Sequence, residues 1–232
     1  LCPAVQGWSN GGYSADPENP DYGTHDWIAD RVLSLQTRDV SHFMTTYHDS
    51  YLIGTEAPDN PDYIGDSWNH HVYYYSDGSV QDNASAERAG DMYGQALSKL
   101  VAGDFPAAAY YMGAMTHYIA DMGVFGHTMG ADTDWGAEVH HSDYESYFES
   151  ILVQLTLPPS VTLGDASASD AAMGLARNVT FGSWAIQPNV WMDGNYDWSD
   201  TVFEASAMES LYRSVHAAAA AVNHLLEAAA PD

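Results

Sequence analysis

The longest regular pattern in the sequence is an alanine-rich run over about 202–229. Its larger apolar residues recur at helical spacing, and alanine has the highest intrinsic helix propensity. No segment of the chain shows the clean alternation of apolar and polar residues that is typical of a strand, and we find no internal repeat. The sequence therefore predicts an all-α fold, a multi-helix bundle.

Six further helices are predicted from apolar periodicity and boundary residues, over about 25–37, 40–53, 85–100, 105–122, 139–155 and 168–181. Thr24 is available as an N-cap for the first of them. Pro106 suits the first turn of the helix over 105–122, and the glycines at 123 and 126 end it.

The remaining segments are predicted to be irregular. Residues 1–24 are rich in Gly, Asn, Pro and Asp and follow no period, so we expect an N-terminal arm there and one helical domain over 25–232. Two long loops are expected, over 54–77 and over the aromatic stretch 184–199. Loops of this length within compact domains are usually functional.

The charge of the chain limits its partners. It has 6 Lys+Arg against 32 Asp+Glu, a formal net charge of -26. Such a surface repels duplex nucleic acid and anionic lipid unless bound cations reverse the local field. No apolar run approaches the roughly 18 to 20 residues that span a bilayer, so we expect a soluble protein with peripheral membrane contact at most. An acid-rich, lysine-poor surface also suits high salt, which suggests a halophilic origin as a hypothesis.

Histidines and carboxylates occur at spacings that matter on a helix. His117 and Asp121 are four residues apart, so both side chains leave one face of the same helix, where a single cation can bind them. His141 and Glu145 repeat this spacing on the next helix. His127 follows after the glycine turn, so we expect it to bind a different metal ion from His117.

Metal binding is favoured over an ordinary explanation of these pairs. An isolated His/acid pair is usually a surface pair or a satisfied core histidine. Here the helix that carries His117 and Asp121 is apolar nearly all round, so the carboxylate is expected to be buried and to need a cation. The chain offers six basic side chains, and its one cysteine, Cys2, excludes both an intramolecular disulfide and a thiolate metal cluster. Neutral imidazole with carboxylate is a hydrolytic zinc ligand set.

Five segments together resemble a known family. In chain order they are THDWIADR at 24–31, GTEAPDNP at 54–61, WNHHVY at 68–73, YMGAMTHYIADMGVFGH at 111–127 and HHSDYE at 140–145. Their order and content are similar to those of the bacterial zinc-dependent phospholipases C, whose relatives include fungal zinc nucleases and glycosylphosphatidylinositol-cleaving phospholipases. With an N-terminal tryptophan match at Trp8, the resemblance spans about residues 8–145.

The resemblance implies up to three zinc ions. Their ligands would be, for the first ion, Asp59, His71, His117 and Asp121; for the second, His25, the bridging Asp121 and Trp8; and for the third, His127, His141 and Glu145. In the family the α-amino group and carbonyl of an N-terminal tryptophan bind the second ion, so Trp8 would require processing just before it.

Two of these matches have alternatives. His70 could replace His71, and Glu56 could replace Asp59. His71 is preferred because the family has a tyrosine two residues after this ligand, as Tyr73 is here. Asp59 is preferred because its distance from the preceding glycine matches the family.

The resemblance also implies a function. It is phosphodiester hydrolysis by a secreted zinc phospholipase C, with cleavage on the glycerol side of the phosphate. Asp59 would orient or deprotonate the attacking water as well as bind metal. Trp68 matches an aromatic position that contacts the headgroup, whereas Asn60 stands where a tyrosine is expected, so specificity for phosphatidylcholine is not implied. The acidic surface favours a phospholipid or small phosphodiester over nucleic acid.

Two other functions remain open. One is a zinc nuclease or nucleotidase on the same scaffold, although those enzymes usually have Asp where Glu145 stands. The other is a non-enzymatic extracellular or filament-forming protein, whose N-terminal arm would contact a neighbouring subunit. Glycosylation sequons at Asn83 and Asn178 agree with export in either extracellular case.

Overall fold

The structure is a computed structural model that describes residues 12–156, 164–183 and 185–230, without the side chains of 38–41 and 67. Its helices are α1 (Thr24–Leu35), α2 (Arg38–Thr46), α3 (His48–Glu56), α4 (Ala84–Val101), α5 (Phe105–Asp121), α6 (His141–Ile151), α7 (Ala168–Phe181), α8 (Asn189–Gly194) and α9 (Thr201–Ala229). A short antiparallel hairpin of β1 (Tyr73–Tyr74) and β2 (Val80–Asp82) is the only sheet among the described residues. The prediction of an all-α fold is confirmed.

The structure corrects several local predictions. The helix predicted over 40–53 is two helices, because the backbone leaves helical geometry at Tyr47, between α2 and α3. The expected loop over 184–199 contains α8. The N-cap of α1 is Gly23 rather than Thr24, which is already helical.

The N-terminal end of α1 is held by one buried carboxylate. Oδ2 of Asp26 accepts hydrogen bonds from the backbone N–H groups of Gly23, at 3.1 Å, and Ser14, at 3.2 Å. These bonds attach the described part of the expected arm, the turns of residues 12–23, to the first turn of the helix. Burial raises the pKa of Asp26 to about 7.

Helix α5 runs through the middle of the molecule. Every residue from Met112 to Asp121 is buried, and the helix packs against α3, α4, α7 and α9. Small residues permit this packing. A Cβ on Gly54 of α3 would lie 2.0 Å from the carbonyl oxygen of Tyr110, and one on Gly113 would lie 2.0 Å from that of Tyr51. The backbones of α3 and α5 therefore touch where the two helices cross.

The C-terminal end of α5 is fixed by α9. The hydroxyl of Ser210 donates to the carbonyl oxygen of Gly123 at 2.5 Å, and that of Ser214 donates to the carbonyl oxygen of Ala120 at 3.2 Å. The long alanine-rich helix thus positions the residues that follow α5. Within the described residues no helix has both the length and the apolar character needed to cross a membrane.

Candidate metal centre

The centre is built on the C-terminal end of α5, where His117 and Asp121 are both fully buried. Nε2 of His117 lies 3.2 Å from Oδ2 of Asp121, as the spacing of four residues predicts. Nδ1 of His117 lies 2.6 Å from the backbone carbonyl oxygen of Thr55, at the end of α3. Since a carbonyl only accepts, Nδ1 carries a proton, and Nε2, which faces the centre, is the nitrogen that could bind a metal ion.

Asp121 lies in the middle of the centre, where four imidazoles surround its carboxylate. Oδ2 faces Nδ1 of His70, at 3.0 Å, as well as His117. Oδ1 faces Nε2 of His25, at 3.3 Å, and Nε2 of His127, at 3.9 Å. Burial alone would raise the pKa of Asp121, but His117 and His127 hold it well below its usual range. The carboxylate is therefore ionised and offers one oxygen to each side of the centre.

Asp59 closes the centre from the loop after α3. Its Oδ1 lies 3.4 Å from Nδ1 of His70 and its Oδ2 lies 3.8 Å from Nε2 of His117. The alternative, Glu56, is engaged elsewhere, since its Oε1 accepts a 2.6 Å hydrogen bond from Nδ2 of Asn60. The structure thus brings Asp59 rather than Glu56 to the histidines.

At the adjacent position the structure brings the alternative, His70, to Asp121 rather than the preferred His71. Exposure alternates over residues 70–74, so that His70, Val72 and Tyr74 are buried whereas His71 and Tyr73 are half-buried. The ring of His71 stacks on Tyr73 with the centroids 4.3 Å apart. The imidazole that reaches Asp121 is that of His70.

A third group of residues lies beside Asp121. Nε2 of His141 is 2.8 Å from Oε1 of Glu145, and Nε2 of His127 is 3.6 Å from the same oxygen. A Cβ on Gly126 would lie 2.3 Å from Cγ of His141, so the glycine lets this ring approach the backbone before His127. The histidine that follows the glycine turn therefore meets the His141–Glu145 pair, the grouping that the family resemblance implies.

The donor set fits metal ions. Ligand atoms lie within 4.8 Å of one another in three groups: His25, His117 and Asp121; Asp59, His70 and His117; and His127, His141 and Glu145. Several of their polar atoms are buried without a hydrogen-bond partner, among them both oxygens of Asp59, both oxygens of Asp121 and Nε2 of His25 and of His127. Zinc binds to neutral imidazole and carboxylate in this way.

The carboxylates of the centre call for positive charge that the basic side chains do not supply. Among the described ion pairs, none joins a lysine or arginine to Asp59, Asp121 or Glu145. Burial alone would lower the pKa of His141, but Glu145 and Glu138 raise it to about 10. Without a metal ion, only imidazolium can balance the carboxylates, and bound zinc would take that role.

Trp68, the predicted headgroup contact, lies outside these groups and is 80% exposed in the 3-10 turn Ser67–Asn69, two residues before His70. His140 is also outside the third group, and its ring stacks on Tyr196 with the centroids 4.5 Å apart. Trp8 lies outside the described residues.

Two carboxylates near the centre were not found from the sequence. Oδ1 of Asp66 lies 3.8 Å from Nε2 of His70, and Oε1 of Glu138 lies 3.6 Å from Nδ1 of His141. The signal in the sequence is their spacing from these histidines, four residues and three residues. This spacing becomes informative only when the structure shows that each carboxylate faces the histidine nitrogen that points away from the centre.

Trp198, in the aromatic stretch after α7, packs on α6 beside the third group. Trp198 stacks on Tyr147 with the centroids 3.8 Å apart and also on Tyr144, at 5.7 Å. Tyr144 is buried, whereas Tyr147 and Trp198 are half-buried. This aromatic cluster is part of the packing of α6 and borders the centre.

Comparisons with known proteins identify the family and the fold of the chain. A family model described as zinc-dependent phospholipase C matches residues 24–191, which include every described residue of the three groups. No curated protein matches the chain. Two solved structures with the same fold are the alpha toxin of Clostridium absonum (TM-score 0.61, 14% identity) and the alpha-toxin of an avian strain of Clostridium perfringens (TM-score 0.59, 14% identity).

These alignments cover 88% and 94% of this chain but only 63% and 65% of the toxins, so the chain spans less than two thirds of the length of either protein. At this identity the toxins show a shared fold. The family model matches residues 24–191, which is most of the chain, and this range contains the five segments that carry the resemblance. The chain belongs to the zinc-dependent phospholipase C family.

Proposed function

We propose that this chain is a metal-dependent phosphodiester hydrolase, a zinc phospholipase C that cleaves phospholipid on the glycerol side of the phosphate. The observation that carries the proposal is the fully buried carboxylate of Asp121, which has imidazoles on both of its oxygens and, among the described ion pairs, no lysine or arginine. A carboxylate in such surroundings is suited to bridge two cations.

The proposed site holds up to three zinc ions. Asp59, His70, His117 and Asp121 would bind the first, His25 and Asp121 the second, and His127, His141 and Glu145 the third. Trp8 stays a predicted further ligand of the second ion.

The residues have distinct parts in the proposed reaction. Bound zinc would lower the pKa of a water molecule and stabilise negative charge on the phosphoryl oxygens. The carboxylate of Asp59, 12% exposed at the edge of the centre, would accept the proton of the attacking water or orient it. The backbone carbonyl of Thr55 fixes the tautomer of His117, which keeps Nε2 facing the centre.

The charge of the chain supports a small phosphodiester over a polyanion. A net charge of -26 repels a nucleic acid along its whole length. A molecule with a single phosphate group would be repelled less and would be attracted by zinc ions bound in the centre. The exposed ring of Trp68, close to His70, is proposed to contact the lipid headgroup or the membrane surface. Membrane contact would be peripheral.

We propose that the protein acts outside the cell. The sequons at Asn83 and Asn178 lie at half-buried asparagines, the first at the N-cap of α4 and the second within α7. A peptide-N-glycosidase digestion of protein from its natural source would lower the mass if either sequon carries a glycan.

The test combines metal content with turnover. We expect purified protein to contain about three zinc ions per chain by mass spectrometry and to hydrolyse a short-chain phospholipid. His117→Ala should lose both zinc and turnover. His42→Ala, which removes an exposed histidine of α2, should lose neither. A wild-type protein without zinc or without lipid turnover would contradict the proposal.

The same assay separates the two alternatives. A zinc nuclease or nucleotidase would hydrolyse single-stranded nucleic acid or nucleotides and leave the phospholipid intact. A non-enzymatic protein would hydrolyse none of these and could assemble through its N-terminal arm, which sedimentation of the chain with and without residues 1–11 would detect.

A further inference from the structure

Asp66 stands at the back of the centre, on the side of His70 that faces away from Asp121. Nδ1 of His70 points to the centre, 3.0 Å from Asp121 and 3.4 Å from Asp59. Nε2 points the other way, towards Oδ1 of Asp66 at 3.8 Å, which is an ion-pair distance rather than a hydrogen bond, and this nitrogen is buried without a hydrogen-bond partner. A nitrogen that binds a metal ion has no proton, so the proton of a zinc-bound His70 lies on Nε2, on the side of Asp66.

The carboxylate of Asp66 is itself held on both oxygens. Nε of Arg88 donates to Oδ2 at 2.6 Å, and the hydroxyl of Tyr118 donates to Oδ1 in a short hydrogen bond. Arg88 also lies over the ring of Tyr118, 5.6 Å from its centroid. The three residues Asp66, Arg88 and Tyr118, which we call the clamp, therefore contact one another in pairs.

The clamp joins elements that also carry the centre. Tyr118 follows His117 on α5, and Arg88 lies on α4. The backbone N–H of Asp66 donates to the carbonyl oxygen of Pro58 at 2.9 Å, which closes the loop that holds Asp59. Arg88 is one of only six lysines and arginines in the chain, and its described ion pair beside the centre is with Asp66 rather than with a proposed ligand carboxylate.

We propose that Asp66, held by Arg88 and Tyr118, is a positioning residue that fixes the ring of His70 and so selects His70 over His71 as a zinc ligand. Carboxylates that accept a proton from the far nitrogen of a ligand histidine orient the ring and raise its basicity. His71 has a different partner, Oδ2 of the half-exposed Asp82, at 3.3 Å, and belongs to none of the three groups of ligand atoms. The inference rests on the proposed zinc site.

The first test is the zinc affinity of Asp66→Asn, measured by competition with a chelator. We expect one zinc ion to bind about 10- to 100-fold more weakly and the other ions to be unaffected. Asp91→Asn is the matched control, because Asp91 is the second carboxylate on Arg88, at 3.2 Å, and has no described contact with His70. It should bind zinc as the wild type does.

A double-mutant cycle separates positioning from general support of the loop. If Asp66 acts through His70, Asp66→Asn will weaken zinc binding in the wild-type background but not in His70→Ala. Equal weakening in both backgrounds would overturn the inference. Equal zinc affinities of the Asp66→Asn and Asp91→Asn variants would also overturn it.

Tyr118→Phe provides a milder variant in case Asp66→Asn does not fold. It keeps the buried ring and removes only the hydroxyl that bonds to Asp66. We expect about fivefold weaker binding of the same zinc ion, the usual effect of one lost hydrogen bond. An unchanged affinity would contradict the inference. A wild-type chain that takes up no zinc would overturn the proposed function and the inference with it. If the wild type binds zinc and the Asp66 and Tyr118 variants bind it with the same affinity, the inference alone is overturned.

Discussion

The backbone carbonyl oxygen of Thr55 lies 2.6 Å from Nδ1 of His117, so the end of α3 sets the orientation of a central histidine of α5. This distance depends on the crossing of the two helices one residue earlier. There a Cβ on Gly54 would lie 3.0 Å from the Cα atom of Gly113. The close approach of two backbones thus positions a candidate metal ligand.

Gly113→Ala is expected to destabilise the protein by about 1–3 kcal/mol, since the new methyl group would lie 2.0 Å from the carbonyl oxygen of Tyr51 and force the helices apart. Gly94→Ala, in the exposed middle of α4, meets no atom within 4 Å and should stabilise the protein by up to about 1 kcal/mol. Chemical denaturation of both variants measures the difference. Equal effects would show that the helices do not touch at this crossing.

Adjacent histidines give the second prediction. His70→Ala should reduce the zinc content and abolish turnover of phospholipid, because it removes the imidazole that contacts both Asp59 and Asp121. His71→Ala should retain both properties, because its ring lies outside the centre, on Tyr73. Metal analysis and a turnover assay on the two variants are the measurement. The opposite pattern would favour His71 as the ligand.

Removal of metal is expected to destabilise the fold. Zinc that binds the folded chain and not the unfolded one adds about 2.7 kcal/mol per site when its free concentration is 100 times the dissociation constant. Chelator should therefore lower the midpoint of thermal unfolding, and added zinc should restore it. Magnesium added in place of zinc is the control, since it prefers oxygen ligands. A midpoint that chelator leaves unchanged would argue against a loaded centre.

The pair of His48 and Asp30 gives a pH-dependent prediction away from the centre. The hydrogen bond from Nε2 of His48 to Oδ1 of Asp30, at 2.9 Å, raises the pKa of the imidazole above its usual value of 6.5. A pKa that is higher in the folded state stabilises the protein fully below pH 6.5, and the stabilisation is lost as the pH rises through the folded pKa. We expect it to be at most about 1 kcal/mol, since both side chains are partly exposed.

The measurement for this pair is the unfolding free energy of wild type and His48→Gln between pH 5 and 9. The two curves should differ at the acidic end and converge at the alkaline end. His42→Gln, at an exposed position in α2, should follow the wild type throughout. If the difference in unfolding free energy between wild type and His48→Gln grew with pH, the predicted direction of the pKa shift of His48 would be wrong.

Trp68→Ala tests the proposed contact with substrate. The side chain is 80% exposed and buries little surface, so its loss should leave zinc content and stability unchanged. Turnover of phospholipid presented as vesicles or micelles should fall, with the larger effect on KM if the ring only binds the lipid. Val101→Ala removes a 74% exposed side chain at the end of α4 and is expected to have no effect. Equal turnover in both variants would exclude Trp68 from substrate binding.

Local sequence determined most of the helices and the two His/acid pairs within them. The spacing of His117 and Asp121 within one helix fixes their relative direction, since side chains four residues apart leave the same face. His141 and Glu145 follow the same rule, and both pairs meet in the structure as the spacing predicts. The family resemblance added Asp59 and His25, which no local rule connects to α5.

Tertiary structure decided the rest of the centre. In the segment 70–74 a buried side chain alternates with a half-buried one, so the choice between His70 and His71 depends on which set is buried. Two long-range bonds fix that choice, from the N–H of Val72 to the carbonyl oxygen of His127 at 3.2 Å and from the N–H of Ser85 to that of His71 at 3.0 Å. Helical spacing is a local property of the chain, whereas the direction of a side chain in a non-helical segment is set by the elements against which the segment packs.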